Sequence, residues 1–188
     1  MRIGVFGGAF DPPHVGHVEL ARRGVERFDL DRLLVRVDEG PGHKDVETAP
    51  QIRLFLAELA FGPLDEAEMS LDSFARTVDS LEALALDDPV FVVGADEFAS
   101  FLTWKEPERV LELARLGVAT RPGVDRARLD RVRASLARPE RVVFFEIEPL
   151  AVSSSDIRRR VRSGQPIGGL VPPAVEAEIA RLGLYGRD

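Results

Sequence analysis

The sequence predicts an α/β fold built on a doubly wound, mainly parallel sheet, and three observations carry that prediction. Short β-branched runs alternate with stretches of helical periodicity. The Gly/Pro-rich pieces between them, such as Asp38–Gly42 and Arg121–Gly123, are only the length of loops. The residues richest in chemistry follow the first strand directly, where open α/β sheets place their ligands.

Taken in order, Arg2–Phe6, Leu33–Val37, Val90–Val93, Leu116–Ala119 and Val142–Ile147 read as buried strands. Val18, Ala21, Val25 and Phe28 keep a three-or-four spacing, as do Val78, Leu81 and Ala85, and later Leu129, Val132 and Leu136. Each set is one apolar helical stripe. Strand–helix alternation of this kind implies right-handed crossovers and a Rossmann-like sheet covered on both faces. After residue 150 the pattern changes. Ser153–Ser163 is a short basic helix ending at Gly164, and Pro172–Leu182 is a second, begun by prolines and stopped by Gly183. These form a small C-terminal helical appendix. The expected organisation is one domain over 1–188, with an α/β core at 1–150 and a helical segment at 151–188.

Composition narrows the function. The 188 residues are 45% hydrophobic and 30% charged, enough for one sizeable core. No stretch approaches a transmembrane helix and no signal segment opens the chain, so no membrane partner is expected and the cytoplasm is the expected compartment. Cysteine is absent, which removes thiolate catalysis and cysteine-ligated metals. A net charge of −7 argues against sequence-independent nucleic-acid binding. A phosphorylated ligand must then be held by a few cations and backbone N–H groups, with Mg²⁺ as a fitting companion. Subunit number is not legible from charge.

Gly7-Gly8 lets the backbone approach a ligand, but the run lacks both the G-x-G-x-x-G fingerprint and the GK[ST] of a P-loop. Two of the three histidines, His14 and His17, stand three apart at a helix start, so both rings can face one ligand. Imidazoles can donate to phosphoryl oxygens and can become cationic beside a polyphosphate. Capping or core histidines are an alternative reading, as is a zinc site made with His43. H-x-x-H without a third clear ligand is weak evidence for metal, and no protein-held metal is expected.

The run Phe6–His17 resembles the H-x-G-H signature of the nucleotidyltransferase superfamily: the glycines, Phe-Asp-Pro and both histidines match in order. Within it the chain resembles, almost end to end, the bacterial nicotinate-nucleotide adenylyltransferases. That family moves AMP from ATP to nicotinate mononucleotide, giving deamido-NAD and pyrophosphate. The resemblance implies ATP contacts at Gly8, Ala9, Phe10, His14 and His17, with Gly8 also against the acceptor. His43-Lys44 resembles Pro-His-Lys, which implies a catalytic Lys44 touching both substrates, although Gly42 replaces the proline. Thr77-Val78-Asp79-Ser80-Leu81 resembles Thr-x-Asp-Thr-Leu and implies Thr77 at the acceptor; Ala75-Arg76 replaces the preceding Ser-Tyr.

Gly94-Ala95-Asp96 resembles Gly-x-Asp, implying that Gly94 and Asp96 hold ATP, Asp96 through ribose hydroxyls. Trp104 resembles the tryptophan that stacks on the nicotinate ring, with Lys105 where a second aromatic often follows. Ser153-Ser154-Ser155-Asp156-Ile157-Arg158 resembles Ser-Ser-Thr-x-Ile-Arg and implies that Ser154, Ser155 and a catalytic Arg158 receive the triphosphate. Ser153 and Asp156 also have capping-box spacing. Arg121-Pro122-Gly123 resembles the Arg-Pro-Gly loop beneath the adenine, and Leu170–Tyr185 the Leu-Val-Pro…Leu-Tyr ending. Two alternatives stay open: a transferase of this fold with another phosphorylated acceptor (nicotinamide mononucleotide, phosphopantetheine, glycerol phosphate), and a non-catalytic adenylate-binding module.

Overall fold

A computed structural model describes residues 1–41 and 46–186. Six parallel strands, β1 (Ile3–Gly8), β2 (Arg32–Asp38), β3 (Ala67–Asp72), β4 (Val90–Gly94), β5 (Arg115–Thr120) and β6 (Val142–Glu146), form one sheet in the order β3-β2-β1-β4-β5-β6. Five match the expected strands to within a few residues. The sixth, β3, has the sequence AEMSLD, which lacks a β-branched residue and sits at the sheet edge, where polar side chains meet solvent.

The helices divide between the two faces. On one lie α1 (Val15–Phe28), α2 (Pro50–Phe61) and the C-terminal α7 (Ser154–Arg162) and α8 (Pro173–Leu182), packed around Leu33, Val35, Val37 and Phe61. The other carries α3 (Thr77–Leu84), the single turn α4 (Ala95–Phe98), α5 (Pro107–Leu113) and α6 (Arg126–Ala134), around Val5, Phe91, Val93 and Phe98. The stripes expected in α1, α3 and α6 face these cores, with Ala85 left as the left-handed residue that ends α3 and Leu136 buried just beyond the end of α6. The C-terminal helices are deeply docked: Ile157, Val175, Ile179 and Tyr185 are all buried in the first core.

Strand order reverses between β1 and β4, the switch point of the sheet. Pairing there runs over Gly4↔Val90 and Val5↔Phe91, against five or six pairs at each other interface. Beyond those two pairs the carboxyl ends of β1 and β4 separate, opening the crevice in which such sheets bind ligands. Among the described residues no helix is long and apolar enough to cross a membrane.

Candidate active site

The crevice is a cavity of about 890 Å³ over the ends of β1 and β4. Gly8, Ala9, Phe10, His14 and His17 line it from the first strand and loop, and Gly94 and Asp96 from the fourth. Ser154, Ser155 and Arg158 close one end on α7, and Thr77 and Trp104 the other. Gly7-Gly8 belongs to β1 itself, whose pairing with β2 continues to Gly8↔Val37.

His14 and His17 build the start of α1 together. His14 is the N-cap, its Nδ1 accepting the His17 N–H at 3.3 Å, while His17 Nδ1 accepts the His14 N–H at 3.2 Å. This is a reciprocal capping box, ordinarily the work of Ser or Thr with Glu or Gln. The rings stack with centroids 3.6 Å apart. Because each Nδ1 is an acceptor, the hydrogen-bond pattern assigns the proton of each neutral ring to Nε2.

Burial lowers the His14 pKa from 6.5 to about 4, so His14 is neutral near pH 7, not the cation that phosphate chemistry alone suggested. Capping and phosphate contact, read from sequence as alternatives, are compatible in this geometry. Gly16 has a related purpose: a Cβ there would lie 3.1 Å from His14 Nδ1 and 3.2 Å from Val152 Cγ1, so its missing side chain makes room for the imidazole.

The loop carrying these histidines is clamped by residues distant in sequence. Asp11, 2% exposed, accepts from Thr48 Oγ1, from Tyr185 Oη at 2.7 Å and from the Glu47 N–H at 2.5 Å. Tyr185 is correspondingly held in its phenol form, its pKa pushed up by burial and then by the Asp11 charge. Arg53, fully buried on α2, donates to the carbonyls of Ala9, Asp38, Glu39 and Thr48 at 2.6–3.1 Å. It ties the end of β2 to the start of the histidine loop. Ser154 Oγ donates to the Pro12 carbonyl at 2.8 Å, and Arg158 Nη1 to the Asp11 carbonyl at 2.8 Å.

Some expected roles shift in this geometry. The Phe10 ring is buried edge-on against Phe6, Phe61 and His17, so this residue packs the loop down, with φ of 50° at the bend. Ser154 braces Pro12 through its hydroxyl. Ser153 caps α7 by accepting the Asp156 N–H at 3.2 Å, but Asp156 turns to Arg159 and Arg160, leaving that capping box half made. Arg121 lies beside the cavity, in a smaller hollow of about 360 Å³ that it shares with Asp96, 3.4 Å away. Thr77 is the first residue of α3, with Arg76 in the cap position. Trp104 meets Phe91 and Phe101 edge-on, at 6.1 and 5.2 Å. His43 and Lys44 lie outside the described residues.

A switch-point crevice, a histidine-capped helix and an opposing helix N-terminus define a nucleotide-handling α/β transferase. The cytidylyltransferase-like family model matches residues 5–160. Across its full length the chain is 35% identical to the probable nicotinate-nucleotide adenylyltransferase of Rubrobacter xylanophilus, covering 94% of that protein. It is 38% identical to a Thermus thermophilus protein of the same name, over 98% of this chain and all of that one. The chain belongs to the nicotinate-nucleotide adenylyltransferase family. Its fold is shared with the Plasmodium falciparum nicotinic acid mononucleotide adenylyltransferase complexed with NaAD, at a TM-score of 0.80 and 17% identity, covering 98% of this chain and 97% of that one.

Proposed function

We propose that this chain transfers AMP from ATP to nicotinate mononucleotide. An acceptor phosphate oxygen attacks the α-phosphorus in line, the bond to the bridging oxygen breaks, and pyrophosphate leaves with that electron pair. The acceptor phosphate is already ionised, so positioning and charge stabilisation carry the catalysis and no general base is required. The observation that carries this reading is the reciprocal histidine cap at the switch point, which fixes both tautomers with the proton on Nε2.

In this reading the Nε2–H groups of His14 and His17 donate to phosphoryl oxygens while each Nδ1 stays engaged with a backbone N–H. Arg158 and the first-turn N–H groups of α7 at Ser154 and Ser155 receive the outgoing β- and γ-phosphates. Lys44 adds a second cation. Gly8 brings backbone against both substrates, Asp96 holds ribose with Arg121 beside it toward the adenine, and Thr77 with Trp104 receives the pyridine ring.

Magnesium enters as the ATP complex and offsets triphosphate charge. No group of three or more His, Cys, Asp or Glu able to hold a metal is gathered among the described residues. Incubation with ATP, Mg²⁺ and nicotinate mononucleotide should release pyrophosphate and form deamido-NAD. No turnover with either nicotinate or nicotinamide mononucleotide would reject the reading.

A further inference from the structure

The acceptor end of the cavity holds a cation that the reaction chemistry does not use. Arg36, on β2, lines the cavity with its side chain only 17% exposed. Its Nη1 donates to Ser70 Oγ at 2.8 Å, its Nη2 lies 3.5 Å from Asp72 Oδ1, and its Nε is buried and unpaired among the described residues. Asp72 is a preoccupied counter-ion. Its Oδ2 accepts the Ser80 hydroxyl at 2.5 Å and its Oδ1 the Phe74 N–H at 3.0 Å. Beyond those contacts Nη1 and Nη2 each keep a second N–H, and a sunken guanidinium with donors left open is costly until an anion completes it.

The register of the sheet supplies the place for that anion. Ser70, Arg36 and Gly7 form one row across β3, β2 and β1, and register partners in parallel strands share a face. Gly7 contributes no side chain, and a Cβ there would meet the Phe91 ring at 3.7 Å. Phe91 in turn backs Trp104. Across the cavity floor the order is therefore guanidinium, gap, aromatic pair. A planar ring laid in the gap has an aromatic wall on one side and a fork of N–H donors on the other. The rim adds positive charge at Arg76 and Lys105, although Lys105 is tied to Asp79 at 2.7 Å.

We propose that Arg36 is a specificity-determining residue that reads a carboxylate on the acceptor ring and so favours the acid over its amide. This rests on the pyridine-mononucleotide reading above. A carboxylate offers two acceptor oxygens to the guanidinium, whereas a carboxamide offers one and turns N–H donors toward a cation.

The test measures kcat and KM for nicotinate and nicotinamide mononucleotides, with Mg-ATP, in the wild-type chain, Arg36→Met and Arg36→Lys. Arg36→Met should lower kcat/KM for the nicotinate form by about 10- to 100-fold, mainly through KM, with the nicotinamide form and the ATP KM within about twofold of wild type. Arg36→Lys, keeping charge without the fork, should lose part of the preference. An unchanged acid-to-amide ratio in Arg36→Met, or equal losses with both acceptors, overturns the proposal. If Arg36→Met melts below the assay temperature, Arg36→Lys decides: a wild-type ratio overturns, a reduced ratio supports. A wild-type chain idle with both acceptors overturns the reaction as well, whereas an active wild type with an unchanged variant ratio overturns Arg36 alone.

Discussion

The two ends of the cavity are built by different means. The phosphate end is locked by backbone geometry: two imidazoles cap their own helix, Arg53 gathers four carbonyls, and Asp11, Ser154 and Arg158 pin one loop from three directions. At the acceptor end α3 starts without a side-chain cap bond, Phe74 and Arg76 are exposed, and the recognition surface is side chains on a sheet floor. In the proposed reading, the chemistry common to every nucleotidyl transfer falls at the end held by many hydrogen bonds, and the choice of acceptor at the end formed by side chains on the sheet floor.

That contrast can be broken in three ways, beginning with the largest effect. His17→Ala should cost about 10²- to 10³-fold in turnover, as for loss of one transition-state donor, with the fold retained by circular dichroism. Near wild-type pyrophosphate release would place the phosphate end elsewhere. Trp104→Ala should raise the acceptor KM about tenfold, through lost stacking, while the ATP KM holds. A collapse of ATP affinity would merge the two ends into one.

The smallest effect is on stability. His14 titrates at about 4 when folded against an ordinary 6.5, so between those values the unfolded chain binds a proton that the folded chain refuses. The stabilisation is complete above pH 6.5 and is lost as pH falls through about 4. Thermal melts should therefore rise across that window in the wild type and less steeply in His14→Gln. Equal slopes would mean that His14 is not buried neutral.

What was legible in the chain depended on sequence distance. Gly7-Gly8, Phe10-Asp11, both histidines and Arg158 lie in short contiguous motifs whose spacing is itself the geometry, and all of them line the cavity. Arg53 was invisible because its acceptors are main-chain carbonyls, which every residue possesses. Thr48 and Tyr185 meet Asp11 only after the sheet and C-terminal helices have packed. Capping by the histidines was legible as an alternative reading, but its reciprocal form, in which each Nδ1 accepts the other residue's N–H, was not, because imidazole is a rare capping group. Arg36 alternates correctly with Val35 and Val37 for a strand, but the sequence does not say that the register opposite it would be a glycine.

The hydroxyl of Tyr185 reaches a carboxylate 174 positions earlier in the chain. The loop bearing the histidines is also held at its far edge, where the Val15 N–H donates to the Leu170 carbonyl. During synthesis every strand of the sheet leaves the ribosome before either contact can form. The fastening of the first loop is therefore completed last: a chain interrupted after β6 would possess the whole sheet and the contacts from Thr48 and Arg53, yet lack those from Ser154, Arg158, Leu170 and Tyr185. Contacts of such long span are also slow to find, so recovery of activity on refolding should lag behind recovery of secondary structure.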